Sequence, residues 1–292
     1  MDLFLDNALN NEISLFGFCK IPLLNKHEFD LLQNLSDNFF INKEINNGLY
    51  NSHNKNLPEI NITISNQIEE ITKKALARKF KNHKYFIGHF NLKKGNSDMF
   101  FHLHQDWSVV DEAKFYSLQI WIPLGHSNPE NGGMFFLPQS HKFFNNYRSG
   151  SFGVPVVETQ DKLIKHIVPI ILSEMEAVCF FNSTFHGTFQ NNTSKDRSVV
   201  LMNIVSADAP TFYYDLNKKK KQTDVYNLTA QKILSHLPEL EKGNISNLSY
   251  IKSIPLPEHF LSDPNEYSLL VNTVKTKSII RQLYWYVLRL FN

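Results

Sequence analysis

Between residues 84 and 206 the chain is a succession of short apolar runs with turn chemistry between them. KYFIGHFNLK (84–93), KFYSLQIWI (115–123), GMFFL (133–137), HIVPII (166–171), EAVCFF (176–181) and SVVLMNIV (198–205) are rich in aromatic and β-branched side chains. SNPENGG, PQSH and NNTSKD separate some of them. Short strands closely spaced in this way predict a sandwich or barrel. Helical patterns precede the strands instead of alternating with them, which disfavours a doubly wound parallel sheet. The expected fold class is therefore mainly β with flanking helices.

The flanks read less clearly. ISLFGFC (13–19) has the composition of a short strand, and KHEFDLLQNLSDNFF (26–40) places Phe29, Leu32 and Leu35 at helical spacing. Residues 41–63 are Asn-rich and aperiodic and predict a loop, whereas IEEITKKALARKF (68–80) predicts a second amphipathic helix. After 207, Lys218, Lys219, Lys220 and Lys221 suggest a solvated loop, and TAQKILSHLPELEK (229–242) a helix. The last segment, SIIRQLYWYVLRLFN, carries Arg281, Trp285 and Arg289 and no carboxylate. It fits a helix packed on the barrel, or one making peripheral membrane contact. At 292 residues the chain reads as a single domain (1–292), with 1–83 and 207–292 flanking an 84–206 core. The 41–63 and 207–292 regions are expected to cover the mouth of the barrel.

Composition narrows the function classes. Thirty Lys plus Arg against 28 Asp plus Glu leave a net charge of +2, so no nucleic-acid partner is expected. The 24 Phe, 11 Tyr and 3 Trp exclude a disordered chain. Cys19 and Cys179 cannot form a disulfide framework or a cysteine zinc site and read as buried thiols. MDLFLDNALNNE lacks the basic start and cleavage site of a signal peptide, giving a soluble, cytoplasmic expectation.

The densest ionisable cluster in an apolar context is FHLHQDWS. Strand parity would put His102, His104 and Asp106 on one face and Leu103, Gln105 and Trp107 on the other. Imidazole and carboxylate two residues apart can reach one metal ion, given a third ligand from elsewhere. Among the later histidines, His186 stands out at the end of an apolar run, just before Gly187. Two imidazoles and a carboxylate on one side of an ion form the facial arrangement of non-haem iron oxygenases, with positions left open for reactants. Eleven residues beyond His186, Arg197 opens another apolar strand. An arginine among apolar residues needs an anion, and its planar fork suits a carboxylate. Thr188, on the same strand face as His186, can donate to that anion.

With these residues in hand, the sequence resembles the phytanoyl-CoA dioxygenase-like iron(II)/2-oxoglutarate oxygenases. The resemblance rests on His104-Gln105-Asp106, QIWIPL (119–124), NPENGGMFFLPQSHK (128–142), and His186 with Arg197 at the family's spacing. It covers roughly 84–206 and the strand near Phe16–Cys19. It implies a double-stranded β-helix, a jelly roll with a cupin-like barrel, with iron inside one end. It also implies Fe(II), with 2-oxoglutarate and O2 as co-substrates, and release of succinate and CO2. Carried over by position, the iron ligands are His104, Asp106 and His186, the co-substrate arginine is Arg197, and its supporting hydroxyl is Thr188. Trp121 matches a tryptophan lining the co-substrate pocket, and Gln119 shares its strand face where the family often has Asn. Lys93 either steadies 2-oxoglutarate or ends a strand. Gln139 departs from the family's P-G-S-H turn, which has Gly.

His102, Trp107 and Tyr116 are candidate substrate contacts, with a pocket or core role as the plainer reading. Related halogenases have a small residue where Asp106 stands, so hydroxylation of a small-molecule or lipid-like substrate is preferred to chlorination. Desaturation, ring formation and epoxidation draw on the same chemistry. Two readings from other classes are a non-oxidative cupin-type metalloenzyme and a catalytically silent jelly-roll binding protein. The first fits poorly, since after Asp106 the next carboxylates are Asp111 and Glu112; the second would be expected to lack a ligand or the arginine.

Overall fold

The computed structural model describes residues 2–256, except 42, 46–47, 56, 143–146, 153–159 and 218. SIIRQLYWYVLRLFN, with the membrane contact expected of it, lies outside the described residues. Among those described, no helix is long and apolar enough to cross a membrane.

The elements run α1 (Asn7–Phe16), β1 (Phe18–Pro22), α2 (Lys26–Phe40), β2 (Leu49–Asn51), α3 (Ser52–Lys55), α4 (Pro58–Ala77), β3 (His83–Lys93), β4 (Phe101–His104), β5 (Ser117–Pro123) and β6 (Met134–Phe136). They continue with α5 (Gln160–Leu163), β7 (Val168–Pro169), β8 (Glu176–Phe181), β9 (His186–Thr188), β10 (Arg197–Ser206), β11 (Phe212–Asn217), β12 (Gln222–Asn227), α6 (Ala230–Glu241) and β13 (Ser249–Pro255). A six-stranded sheet in the order β1-β8-β5-β10-β3-β2 and a four-stranded sheet β4-β9-β6-β7, both antiparallel, make the expected jelly roll. Strands β11, β12 and β13 form a separate three-stranded sheet.

Strand period decides which side chains see the barrel interior. Leu118, Ile120 and Ile122 of β5, with Val200, Met202 and Ile204 of β10, pack on Phe29, Leu32, Ile64 and Ile68 of the helices. Their neighbours in sequence therefore point the other way, and Trp121 and Val199 join Phe136, Val178 and Phe180 between the two sheets. Both faces of the large sheet are buried, so these strands read as nearly continuous apolar runs. Cys19 and Cys179 are register partners on β1 and β8, buried as expected.

Two expectations for the N-terminal third are overturned. ISLF is the end of α1, not a strand. Asp6 caps the helix by accepting from the Ala8 N–H, and Gly17 ends it at φ 91, a conformation open to glycine. The 41–63 region is also not a loop throughout. It contains β2, an edge strand on β3, then α3, and then the first turns of α4, which begins at Pro58. The helix expected over 68–80 is the second half of α4, and polar residues in the buried stripe hid the period of its first half. Asn61 donates to the carbonyls of His53 and Leu234, Ser65 accepts from the Gly88 N–H, and Thr72 donates to the Ile68 carbonyl. HIVPII yields only the two-residue β7. Gln139 holds the left-handed conformation at φ 66 that a glycine would adopt freely, and its N–H donates to the Phe16 carbonyl.

Candidate active site

Strand pairing brings the two histidines together. His104, the last residue of β4, is the register partner of His186, the first of β9, and their ring centroids lie 4.3 Å apart. Gly187 makes this pairing close. A Cβ there would stand 2.3 Å from the Phe101 carbonyl oxygen and 2.5 Å from the Phe135 ring. Each imidazole has one nitrogen engaged by a backbone carbonyl: His104 Nδ1 with His102 O at 2.8 Å, and His186 Nδ1 with Thr184 O at 2.9 Å. With Nδ1 as the donor, both Nε2 atoms carry a free lone pair, the tautomer a metal ligand requires.

Asp106 arrives by a different route from the one parity suggests. β4 ends at His104, so no strand alternation carries the carboxylate inward. The loop after it is pinned instead. The Asp106 N–H donates to Asn182 O (2.9 Å), Asn182 Nδ2 to Trp107 O (2.9 Å), Gln105 Nε2 to Ser183 O (2.6 Å) and Arg148 Nε to Asp106 O (2.7 Å). Arg148 is buried and also donates to Glu112 Oε1 at 2.6 Å. Neither Asn182 nor Arg148 is marked by its local sequence.

One ligand atom from each of His104, Asp106 and His186 can be chosen so that all lie within 4.8 Å of one another, with Asp106 Oδ2 3.6 Å from His186 Nε2. Asp106 Oδ2 is buried without a hydrogen-bond partner. Burial pushes its carboxyl above the usual range, against the pull of His104, Arg148, His89 and a hydrogen bond from Gln119. Burial and then His104 hold the His186 imidazole well below its usual value. A cation resolves all of this, since it supplies the missing partner of the carboxylate and meets two neutral nitrogens. The donor set fits a divalent iron with open coordination positions.

A second buried charge lies close by. Arg197 is the register partner of Lys93 across β10 and β3, and its guanidinium lies 5.0 Å from the Trp121 ring centroid. Its Nε and Nη1 are buried without partners, and burial pulls it down to about 9. It remains cationic at neutral pH and lacks an anion. Lys93 is fully buried, its ammonium donating to Thr188 Oγ1 (2.7 Å), Phe189 O (2.6 Å) and Met99 O (3.0 Å). With Thr188 Oγ1 accepting from Lys93, its own proton is free for an anion beside Arg197.

These residues border a cavity of about 1090 Å³ that takes in all three ligand candidates together with Arg197, Thr188, Trp121, Gln119, His102 and Trp107. Lys93 supports that wall from behind. His102 stays off the metal group; its ring is exposed and edge-on to Phe100, where the β4–β9 register is irregular. Gln119 lines the same cavity, close enough to Asp106 for its side-chain amide to lower the pKa of the carboxyl. Tyr116 is not at the cavity. Its ring belongs to the helix-facing core and its hydroxyl donates to Lys81 O and Asn82 O. Trp107 packs edge-on to Tyr213. Leu49, Asn51 and His53, and Ile233, Leu237 and Glu241 of α6, also line the cavity, so the regions before and after the barrel core both contribute walls.

A jelly roll carrying two imidazoles, a carboxylate and a buried free guanidinium on its inner surface has the architecture of a non-haem iron oxygenase with an acidic co-substrate. The profile of the phytanoyl-CoA dioxygenase (PhyH) family matches residues 36–199, more than half of the chain. The protein belongs to this family, and with it to the iron- and 2-oxoglutarate-dependent oxygenases. No curated protein sequence matches it.

Solved structures agree on the fold. The non-haem alpha-ketoglutarate-dependent carbocyclase SnoK from nogalamycin biosynthesis superposes with a TM-score of 0.54 at 16% identity, over 71% of this chain and 86% of that one. The epimerase SnoN in complex with Fe3+, alpha ketoglutarate and nogalamycin RO gives 0.51 at 15% identity, over 70% and 85%. HygX from Streptomyces hygroscopicus, with nickel and 2-oxoglutarate bound, gives 0.50 at 14% identity, over 68% and 86%.

Proposed function

We propose that His104, Asp106 and His186 hold iron(II), that Arg197 and Thr188 receive the distal carboxylate of 2-oxoglutarate, and that the enzyme hydroxylates an unactivated C–H bond of a small-molecule substrate. The observation that carries this reading is the pairing of two unsatisfied groups on one cavity wall: a carboxylate without a cation and a guanidinium without an anion. When bound, iron(II) and 2-oxoglutarate together activate O2 for C–H oxidation, with succinate and CO2 as co-products.

The chain's own residues orient and enclose. The carbonyls of His102 and Thr184 fix the imidazole tautomers, and Arg148 and Asn182 hold the backbone of Asp106, from which the carboxylate projects. Trp121 stacks on the guanidinium and holds its plane in place. The aromatic core behind His186, formed by Phe136 and Phe180, keeps water from that side of the centre. Asp106 fills the position that a halide would need, which favours hydroxylation. SnoK and SnoN, a carbocyclase and an epimerase on the same fold, make product analysis the deciding measurement. Gain of one oxygen atom supports hydroxylation, and loss of two hydrogens overturns it. The reading as a whole is tested by anaerobic addition of iron(II) and 2-oxoglutarate to the purified protein. The weak visible charge-transfer band of the chelate is expected, and its absence sinks the assignment.

Two further outcomes follow from the braces. Arg148→Met should weaken iron(II) affinity by about 10–100-fold, the usual effect of removing a group that orients a ligand; unchanged affinity in an anaerobic titration would count against the brace. Lys93 should set a pH dependence. Burial and then Arg197 pull its ammonium from its ordinary 10.5 to about 7, and a carboxylate bound beside Arg197 pushes it back up. Binding of 2-oxoglutarate is then coupled to proton uptake, so its affinity falls several-fold as pH rises from about 6 to 8, below the range in which Arg197 titrates. Calorimetry should find that fall abolished in Lys93→Met, and a flat wild-type profile refutes the coupling.

A further inference from the structure

His53 of α3 and His89 of β3 stack face to face, with ring centroids 4.3 Å apart and an interplanar angle of 30°. They are 3% and 8% exposed and border the same cavity as the metal ligands. His89 and Asn91 alternate with Phe90, which packs on the helix side, so both occupy the inner face of β3. Unlike the rings of His104 and His186, neither ring has a nitrogen engaged by a carbonyl among the described residues. His53 Nε2, His89 Nδ1 and Asn91 Oδ1 are all buried without a hydrogen-bond partner. Buried polar atoms are paired in the great majority of cases, and leaving one unpaired costs about 1–3 kcal/mol. Three on one wall point to a ligand.

The geometry points to a recognition subsite in which His53, His89 and Asn91 hold an uncharged, hydroxyl-bearing part of a bulky substrate. This deepens the oxygenase reading, on which it rests for the chemistry performed there. A second metal is disfavoured, because the three atoms include no anionic ligand and, among the described residues, no carboxylate or thiol joins His53 and His89 in a metal-binding group. Burial keeps the His53 imidazole well below its usual value and His89 at about 4, so both rings are neutral at physiological pH. A neutral imidazole offers one donor and one acceptor, and the Asn91 oxygen only accepts. A carboxylate has no proton for that oxygen. An ammonium group fits only if both imidazoles present a lone pair instead of an N–H, whereas a hydroxyl fits whichever tautomers the two rings adopt.

The rest of the molecule must be apolar and large. Phe86 and Ile87 of β3 and Ile233 and Leu237 of α6, which pack in one apolar cluster, line the same space. Its volume of about 1090 Å³ lies at the upper limit of small-molecule sites, which run to about 1,000 Å³. The substrate class is therefore a bulky neutral metabolite, apolar in its body and hydroxylated at the end that meets His53 and His89.

The test uses three probes with one apolar tail: octyl β-D-glucoside, octyl sulfate and octylammonium. Each is titrated below its micelle concentration into the full chain with zinc(II) and 2-oxoglutarate, and read by calorimetry. The glucoside should bind at least about tenfold more tightly than either charged probe. His53→Phe and His89→Phe keep a stacking ring and remove the nitrogens, and each should weaken glucoside binding by about fivefold, with 2-oxoglutarate affinity within about twofold of wild type. No glucoside binding, equal binding of the charged probes, or unchanged affinity in both variants overturns the subsite. Should neither variant fold, the order of the three probes on the wild-type chain still decides. Failure of the oxygenase reading has a different signature: no chain, wild type included, then binds 2-oxoglutarate.

Discussion

Replacing Asp106 with asparagine is expected to abolish stable iron binding and to lower 2-oxoglutarate turnover by about a thousandfold or more, without unfolding the protein. The loss follows from the donor set. Two neutral imidazoles remain, and the one anionic ligand of a divalent ion is gone, along with several kcal/mol of stabilisation, each 1.36 of which is a factor of ten in rate. The stability half of the prediction comes from burial. Asp106 borders the cavity with Oδ2 buried and unpaired, and burial raises its pKa. An acid raised on folding costs stability once pH exceeds its unfolded value, and the cost grows until its folded value is passed. At neutral pH the metal-free wild type carries that cost and the amide does not, so metal-free Asp106→Asn should melt at the same temperature or higher. Iron(II) should then raise the melting temperature of the wild type alone. An Asp106→Asn variant that still responds to iron, or that melts well below the metal-free wild type, would show that the carboxylate is a structural group.

The contrast between Asp106 and its neighbours shows how far the sequence could be read. β8 and β10 were plain in the text because both faces of the large sheet are buried and most of their residues are apolar. His104 and His186 were findable because an imidazole inside such a run has no packing purpose. Asp106 was selected by a strand parity that stops two residues too early; its place depends on Asn182 and Arg148, hydrogen-bonding residues far away in the chain. Long-range braces of that kind leave no local periodicity. The same cause hid the first half of α4, whose buried stripe is interrupted by Asn61 and Ser65, each satisfied by a partner only the fold supplies. The half from 68 onward is legible as a helix. α1 was misread for a different reason. ISLF has strand composition, and only the Asp6 cap and the left-handed Gly17 override it. Tyr116 shows the limit of composition, since an aromatic beside a site strand can as easily face the helices.

Arg197→Gln should weaken 2-oxoglutarate binding by about 10–100-fold or more while making the ligand-free protein more stable, and that opposite pair of signs is the distinctive outcome. A charge-assisted pair with a carboxylate contributes about 1.5–3 kcal/mol, which sets the loss of affinity. The guanidinium is buried with Nε and Nη1 unpaired, and Lys93 is its register partner on the adjacent strand. Burying an unpaired charge costs several kcal/mol, against about 0.5–2 kcal/mol returned by stacking on Trp121. The cost wins until an anion binds. The sign with pH agrees: a cation whose pKa is pulled down to about 9 destabilises the fold below that value and ceases to do so only above it. For the wild type, saturating 2-oxoglutarate at a hundred times Kd should add about 2.7 kcal/mol and raise Tm by a few degrees. The variant should start higher and fail to rise. Equal ligand-free stabilities would mean that water already satisfies the guanidinium, and an undiminished rise in Arg197→Gln would place the keto acid elsewhere in the cavity.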